Sequence, residues 1–443
     1  MSVPAQPWQP PADFVPLETA LEGVTVFAPR PKVEAPTAAP VYRCPRCGAT
    51  TKYDVAAGGV ACEHCGYTAA VAAAAVGQAA AQDEFTLTAL RQGAQTPSAA
   101  TGGAEAQEGW GVARKEMHCN ACGADLALAP GALTVTCPFC ASNQVTVRDA
   151  ADDQLRPRFL IPFKLQPDDT KARARTWLGQ GWYHPDELSR SALLEHFSGV
   201  YLPFWTFDAR IVAAWRAEVG YEHQERYYDS GDKSWKTRTV IRWRWEDGRV
   251  TVTVDDLPVA GTSRVSGRLL ERLQPFDLAG LVAYNPDFLA GWQAQAYDVP
   301  LPQAWETGKA SMRERAKQAC RADIHSGHVR NFSMTADFAD EAWRYVLLPV
   351  YVAAYRFEGK VFQVMVNGQS GTVAGQKPVA WWKLWLAIAA LLAPGLCAGL
   401  IGLPLLLVGG AGIVPIVIGL VLLAVGGGIA LWLYQQAAAS EKA

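Results

Sequence analysis

The sequence predicts an α+β protein that combines two tandem cysteine modules, a tryptophan-rich middle domain and a C-terminal pair of membrane-spanning helices. Three observations predict this organisation: a repeated pattern of paired cysteines near the N-terminus, alternating apolar and polar runs in the middle, and a long C-terminal stretch without charged residues. The chain has 443 residues, of which 50% are hydrophobic and 19% charged, and this composition excludes a disordered protein. Its 40 basic and 42 acidic side chains leave a net charge of -2, which argues against a protein that coats nucleic acid through bulk positive charge.

The predicted boundaries follow changes in composition along the chain. A Pro- and Ala-rich segment comes first, and an Ala- and Gly-rich linker separates the two cysteine modules. The parts are residues 1–40 (N-terminal segment), 41–68 (first module), 69–113 (linker), 114–148 (second module), 155–376 (middle domain), 381–434 (membrane hairpin) and 435–443 (tail). The first segment lacks a basic start followed by an apolar run, so no secretory signal is predicted and the soluble bulk is expected in the cytoplasm.

Eight cysteines occur as two sets with the same spacing, C-x2-C-x14-C-x2-C. The sets are Cys44, Cys47, Cys62 and Cys65, and Cys119, Cys122, Cys137 and Cys140. Cytoplasmic thiols are normally reduced, and four thiolates suit a tetrahedral zinc ion, so each set predicts a zinc ribbon with one Zn²⁺. Four sulfurs fill the coordination sphere, so the two sites are expected to be structural rather than catalytic. Redox CxxC chemistry and iron–sulfur binding are the alternatives.

The middle domain is predicted to mix strands and helices, because period-two runs alternate with helical patterns. The predicted strands cover 158–165, 201–215, 346–357 and 361–367, and the predicted helices begin at Asp168 and cover 302–323. A hairpin is predicted from the runs Lys236–Trp245 and Val250–Val254, which flank Asp247-Gly248. Proline cannot donate to a sheet ladder, so three prolines are expected at strand starts. They are Pro162, Pro203 and Pro349.

Candidate chemistry in the middle domain is sparse. No phosphate-loop, zinc-protease or Ser-His-Asp pattern is recognisable, so no enzyme is predicted, although a small-molecule pocket among the tryptophans stays open. The neighbours Asp255 and Asp256 are expected to point to opposite faces of a strand and not to share acid–base work.

Basic and aromatic residues alternate within one predicted strand. They are Lys236, Arg238, Arg242 and Arg244 on one face and Trp235, Trp243 and Trp245 on the other. Such interleaving is typical of contact with nucleic acid or anionic lipid. The favoured interpretation is a sheet with one solvated face and one buried face.

The C-terminal region predicts a helical hairpin in a membrane. Leu384–Val408 and Ile413–Tyr434 each supply the roughly 20 apolar residues that a spanning helix needs, and a short Gly-rich connection separates them. Lys377, Lys383 and Lys442 flank the spans, so the positive-inside bias predicts two spans in the cytoplasmic membrane with both termini in the cytoplasm. The aromatic residues near the same interface are Trp381, Trp382, Trp385, Trp432 and Tyr434. A buried helical pair in a soluble core is the alternative.

Long sequence segments in the middle domain resemble those of a known family. They are GVYLPFWTFDA at 199–209, VDDLPVAGT at 254–262, PDFLAGWQAQAYDV at 286–299 and LLPVYVAAYRFEGKVFQVMVNGQSGTVAG at 347–375. With the order of modules, middle domain and spans, they resemble bacterial zinc-ribbon membrane proteins often labelled primosomal protein N-prime, or replication factor Y. That label implies a helicase, which needs a phosphate-cradling loop with its lysine and a carboxylate pair for magnesium, and neither is recognisable here. Some similar proteins resemble the membrane-anchored component of envelope-stress modules that work with an SPFH-domain or phage-shock-type partner, and this resemblance implies an adaptor role.

Together these features predict a non-enzymatic, membrane-anchored adaptor or scaffold whose zinc ribbons recruit a protein partner at the cytoplasmic face. The alternative is a membrane-tethered protein that binds nucleic acid or takes part in replication. Each cysteine module has a surplus of only a single positive charge, whereas a surface that follows phosphates needs several basic residues on one face. Nucleic acid is therefore the weaker expectation.

Overall fold

The computed structural model describes residues 14–17, 26–29, 43–73, 85–86, 115–127, 136–140, 142–149, 157–189, 197–407 and 412–442. Strands β1 (Phe14–Leu17) and β2 (Val26–Pro29) form an antiparallel pair. A small sheet contains β3 (Lys52–Asp54), β4 (Gly59–Ala61) and β5 (Thr68–Ala70). Most of the predicted linker lies outside the described residues.

A large mixed sheet joins twelve of the described strands. They are β6 (Phe85–Thr86), β7 (Lys115–Cys119), β8 (Asp125–Ala127), β9 (Val145–Asp149), β10 (Phe159–Leu160), β11 (Ser198–Asp229), β12 (Ser234–Ala260), β13 (Val282–Ala283), β14 (Gln293–Ala294), β15 (His328–Phe357), β16 (Lys360–Asn367) and β17 (Val373–Gly375). The described α-helices are α1 (Pro167–Leu178), α2 (Gly267–Leu273), α3 (Leu301–Asp323), α4 (Trp381–Leu407) and α5 (Ile413–Lys442). The predicted mixture of helix and sheet is confirmed, as are the helices near Asp168 and over 302–323.

Three long strands form the centre of the sheet. β15 pairs antiparallel with β11 from Ser198↔Val352 to Gly220↔His328, and β12 pairs with β11 as far as Asp229↔Ser234. Beyond Gly220, β11 and β12 therefore continue as a two-stranded projection in the part of the chain that the structure describes. We call residues 221–242, from Tyr221 to its partner Arg242, the distal ribbon.

Burial changes along β11 in three steps. Residues 199–209 are buried on both faces, because one side packs in a core with Trp205 and the other in a core with Phe204. Residues 210–220 alternate between covered and more exposed positions, since α3 covers only one face there, with Trp305 and Met312 in the shared core. The distal ribbon lies beyond both cores.

The predicted hairpin over Lys236–Val254 is wrong. β12 continues through Asp247-Gly248 without a turn, and the chain reverses at Ser230–Lys233 instead. A Cβ at Gly248 would lie 2.7 Å from the indole of Trp215, so this glycine admits the tryptophan ring against the strand. Gly248 of this Asp-Gly pair thus makes room for a packed side chain and does not reverse the direction of the chain.

The expectation that the prolines mark strand starts is also wrong. Pro162 follows the end of β10, and Pro203 and Pro349 lie inside β11 and β15. Pro203 occupies the gap between the pairing with β14, which ends at Tyr201, and the pairing with β12, which begins at Phe204. Pro349 lies between the partners β10 and β16 in the same way. At both positions the proline, which has no N–H group, lies between the end of one partner strand and the start of the next. No backbone hydrogen bond between strands is therefore lost.

Candidate metal centres and membrane segment

The fold brings each set of four cysteines together as a tetrad of sulfur atoms. Within each tetrad the Sγ atoms all lie within 4.8 Å of one another. The Sγ–Sγ distance is 3.4 Å for Cys44 and Cys65, and 3.6 Å for Cys119 and Cys140. A regular tetrahedron with bonds of about 2.3 Å to the metal requires about 3.8 Å between sulfurs, so both tetrads fit a tetrahedral divalent ion. The two groups could therefore hold metal.

Tight backbone turns position the sulfurs. The N–H of Gly48 donates to the carbonyl of Cys44 at 2.8 Å, and the N–H of Gly123 donates to the carbonyl of Cys119 at 2.7 Å. Both glycines have φ above +70°, a left-handed conformation that side chains resist. The turn directs both sulfurs of a CxxC pair to one side. The position after Cys140 lies outside the described residues.

Backbone N–H groups favour the thiolate form at one thiol of each tetrad. Burial raises the pKa of Cys44, but the N–H groups of Arg46 and Cys47 and the neighbouring thiols lower it by more, to about 7. The same balance of burial and N–H donors lowers the pKa of Cys119 to about 7. The pKa values of Cys65 and Cys140 in the same tetrads are raised, because of burial and because each shares a hydrogen bond with the thiol whose pKa is lowered.

The first cysteine module, residues 43–73, packs against the middle of the chain. The N–H of Tyr53 donates to the carbonyl of Ala290 at 2.8 Å, and its ring lies 5.2 Å from that of Phe288. Tyr53 and Val71 belong to the core on the α3 side of the sheet.

The second cysteine module, the described part of 115–149, is joined to the large sheet itself. β8 pairs with β14 at Ala127↔Ala294, and the side chain of Gln363 donates to the carbonyl of Phe139 at 2.7 Å. Cys119 and Cys137 are fully buried in the core that also contains Phe204. Residues of both cysteine modules therefore lie in the two cores on either side of the large sheet. The cysteine spacing does not predict this packing.

A carboxylate cluster that the sequence did not reveal lies beside a β-bulge. The register between β11 and β12 shifts at Phe207/Ala209, and Asp256 has a φ of 52°, so the carboxylates of Asp208, Asp255 and Asp256 come within 4.8 Å of one another. The expectation that Asp255 and Asp256 face apart is therefore wrong. The guanidinium of Arg344, only 5% exposed, binds Asp256 and lies 3.8 Å from Asp208. This arrangement ties β15 to the bulge, and no signal in the sequence marks a bulge.

The basic residues of β12 do not form a free cationic stripe. Lys236 contacts Asp229 and Asp232, Arg238 contacts Glu225 at 2.9 Å, and Arg244 contacts Glu246. These carboxylates reduce the positive potential that a phosphate would meet.

The tryptophans on the opposite face of β12 are not buried. Trp235 is 64% exposed and Trp245 is 52% exposed. The favoured interpretation of one solvated and one buried face is therefore wrong for this face. At Trp245 helix α3 packs on the opposite face of the sheet, beside Trp215, and Trp235 lies on the distal ribbon, beyond the end of α3.

The two C-terminal helices could span a membrane. Trp381–Leu406 and Ile413–Glu441 are long and apolar enough. The helices approach closely at glycines, since a Cβ at Gly402 would lie 3.0 Å from the carbonyl oxygen of Gly412. The ring of Tyr434 lies 5.7 Å from that of Trp381, so aromatic residues from both helices meet at one end of the hairpin.

Lysines at this end attach the hairpin to the soluble part. The ammonium of Lys377 donates to the carbonyl oxygens of Trp177 and Gln180 at the end of α1, and burial lowers its pKa to about 8. Lys383 contacts Asp186 at 2.8 Å. Both lysines, selected from the sequence as flanking charges, thus also make specific tertiary contacts.

Comparison with known proteins adds one relative and no activity. No family model matches the chain, and no solved structure matches it. The chain is similar to a Bacillus subtilis protein named uncharacterized protein YdjG, with 26% identity over 254 residues, which is 53% of this chain and 68% of that protein. The relative's name states no function, so the function must be argued from the residues.

Proposed function

We propose that the protein is a non-enzymatic adaptor anchored in the cytoplasmic membrane. In this proposal α4 and α5 cross the bilayer as a hairpin, both termini lie in the cytoplasm, and the soluble part recruits a protein partner. The observation that carries the proposal is a row of exposed aromatic side chains on a strand pair that extends beyond both cores.

The sulfur tetrads support a structural role for zinc within this adaptor. Four thiolates from one tetrad complete the tetrahedral coordination of Zn²⁺, and the chemistry that the ion supplies is the cross-linking of two turns that are distant in sequence. In the second module the tetrad fastens strands that share a core with β11 and β15. In this proposal the ions stabilise the sheet that carries the binding surface. We assign binding of the protein partner to the distal ribbon and the adjoining strands rather than to the zinc ribbons themselves.

Four aromatic residues share one face of the sheet, of which Trp243 is half-buried and the other three are exposed. Trp235 lies opposite Tyr228, Trp243 opposite Gly220 and Trp245 opposite Glu218. We call Tyr228, Trp235, Trp243 and Trp245 the aromatic face.

Arginines stack on the aromatic face. The Arg330 guanidinium lies 4.1 Å from the ring centre of Trp243, and Arg216 lies 4.9 Å from that of Trp245. Tryptophan, tyrosine and arginine are the residues that most often dominate protein–protein binding energy. The two aromatic side chains bury much area at little entropic cost. The aromatic face thus has the composition of a protein-binding surface.

The charge of the distal ribbon favours protein over nucleic acid. Its acidic residues are Glu222, Glu225, Asp229 and Asp232, and its basic residues are Arg226, Lys233, Lys236, Arg238 and Arg242. The surplus is a single positive charge, whereas a surface that follows a polyanion needs several basic residues on one face. The same argument applies to anionic lipid.

The resemblance to envelope-stress components indicates the class of partner. We propose that the partner is a cytoplasmic or membrane protein of the SPFH-domain or phage-shock type, held at the bilayer by this chain.

Affinity isolation from detergent-solubilised membranes tests the proposal. The wild type is compared with Trp235→Ala/Trp245→Ala and with the control Thr251→Ala, an exposed change on the same face. Each hot-spot truncation costs about 2 kcal/mol or more, so the double variant should lose its partner while the control keeps it. An unchanged set of bound proteins in the double variant would refute the assignment. ATP hydrolysis that rises with added DNA and persists through purification would favour the replication-associated alternative instead.

A further inference from the structure

We infer that the distal ribbon is also the dimerisation element of this protein, with β11 of one copy pairing antiparallel with β11 of a second copy over residues 221–227. β15 begins at His328, opposite Gly220. From Tyr221 onward, β12 is the single strand beside β11 in the part of the chain that the structure describes. The position that β15 occupies lower in the sheet is thus open to another strand.

The open edge lacks both a proline and a bulge, two features that keep a strand from pairing. Residues 221–227 contain no proline, and the pairing with β12 is regular from Ala209 to Asp229, without a bulge. Native sheets use prolines and bulges to protect exposed edges from pairing. A two-stranded ribbon that is exposed on both faces is marginally stable in water, and a third strand stabilises it. An edge of this kind is a template for another strand.

The sequence of the edge is complementary to itself. In antiparallel pairing centred on Gln224, Glu222 of each copy lies opposite the partner's Arg226, and His223 lies opposite the partner's Glu225. Tyr221 lies opposite the partner's Tyr227. Residues directly opposite in an antiparallel pair share a face and come within contact distance. The facing pairs are therefore glutamate with arginine, histidine with glutamate, tyrosine with tyrosine and, at the centre, two amides.

Neighbouring registers lose this complementarity. A shift of one residue in one direction would place Glu222 opposite Glu225, and a shift in the other direction would place Glu222 opposite Tyr227, so that both glutamate–arginine pairs are lost. Like charges directly opposite are unfavourable in a sheet. The charges thus select the register centred on Gln224.

The outer edge of β12 is a poorer match for a second copy. Antiparallel pairing about Val240 would place Lys236 opposite Arg244 and Arg238 opposite Arg242. These repulsions disfavour pairing there and leave β11 as the edge that the second copy uses. Because the two-fold axis passes between the Gln224 residues, each contact occurs twice and the assembly closes as a dimer.

A charge exchange tests the pairing on the full chain in detergent, with mass measured by light scattering. Glu222→Arg and Arg226→Glu each place like charges opposite each other twice in a homodimer, so each should weaken dimerisation about tenfold or more. In an equimolar mixture of the two variants every facing pair is again opposite in charge, and the dimer should return. Both side chains lie on the exposed ribbon, and recovery in the mixture shows that each variant is folded. A monomeric wild type, or a mixture that stays monomeric, would overturn the inference.

A cysteine cross-link tests the register. Gln224 faces its counterpart across the axis, where Cα atoms lie about 4.5–5.5 Å apart, so oxidised Gln224→Cys should form a disulfide-linked dimer. Thr239→Cys is the matched control, because Thr239 pairs with Gln224 inside one copy and lies about 14 Å from its counterpart, three strand spacings away. Cross-linking of Thr239→Cys in place of Gln224→Cys would show that β12 pairs and would overturn the inference. Trp235→Ala/Trp245→Ala should still dimerise, so the outcome is independent of the proposed recruitment of a partner.

Discussion

Replacing Cys119 with serine tests how far the second cysteine module supports the large sheet. The sequence alone suggests that losing this cysteine unfolds only a small module. In the structure, however, Met117, Leu126 and Phe139 of that module are at most 2% exposed and lie in one core with residues of β11 and β15. We therefore expect Cys119→Ser to loosen the sheet as well as the module.

The magnitude follows from the buried side chains. Complete burial of one large apolar side chain contributes about 1.5–3 kcal/mol, so separating these three from the shared core costs about 5–9 kcal/mol. A typical domain is stable by about 5–15 kcal/mol, so the loss is comparable with the stability of the whole unit. In the described part of the first module Tyr53 and Val71 lie in a core and keep some exposure, and Val55 and Val60 pack against it only partly buried. Cys44→Ser should therefore have the smaller and more local effect.

Hydrogen exchange in detergent, read by mass spectrometry, measures the difference. Cys119→Ser should raise exchange in the peptides over 200–204 and 346–352, whereas Cys44→Ser should raise it mainly over 43–73. Both variants should keep α4 and α5 protected, because the apolar helices do not depend on the metal. Unchanged exchange over 346–352 in a Cys119→Ser protein that has lost its metal would refute the reasoning.

Four further predictions follow from the structure. Elemental analysis should find two zinc ions per chain, and one or none with intact thiols would contradict the paired sites. A reporter fused after Ala443 and a label near Met1 should both report cytoplasm, whereas opposite sides would exclude the hairpin. Gly248→Val should destabilise the protein by about 1–3 kcal/mol, seen as a lower Tm, because its Cβ would meet the Trp215 indole at 2.7 Å. Burial lowers the folded pKa of Lys377 from 10.5 to about 8, so the unfolded state binds more protons between these values. The wild type should therefore gain stability relative to Lys377→Met as pH rises from 8 to 10.5, by at most about 3 kcal/mol, and parallel Tm curves would contradict this.

Elements with a strong local signal were predicted well. Helix α3 needs only its apolar periodicity, and the turn between β15 and β16 needs Glu358-Gly359, whose positive φ values suit a tight reversal. The sulfur tetrads also follow from spacing, because a CxxC pair fixes two sulfurs within one turn. The length and composition of α4 and α5 are likewise properties of a continuous segment.

Elements that depend on distant partners were mistaken or missed. Asp247-Gly248 has the composition of a turn, yet the space it provides is filled by Trp215 from another strand. The carboxylates of Asp208 and Asp256 meet because a bulge shifts the register, and neither residue carries a local mark of it. Prolines inside β11 and β15 are tolerated for a similar reason, since their missing N–H groups fall between successive partner strands.

The sequence by itself determined the two cysteine tetrads, the apolar C-terminal helices and the mixture of strand and helix, because each depends on residues close together in the chain. Only the tertiary structure decided that the first cysteine module packs against a core of the large sheet, that the second joins this sheet, and that β11 and β12 extend beyond β15 and α3 as an exposed ribbon. The physical reason is that exposure depends on what other elements cover. The alternation in β12 is the same whichever face a helix covers, so the aromatic face could be recognised only after α3 was seen to pack on the opposite face, beside Trp215, and to end at Asp323.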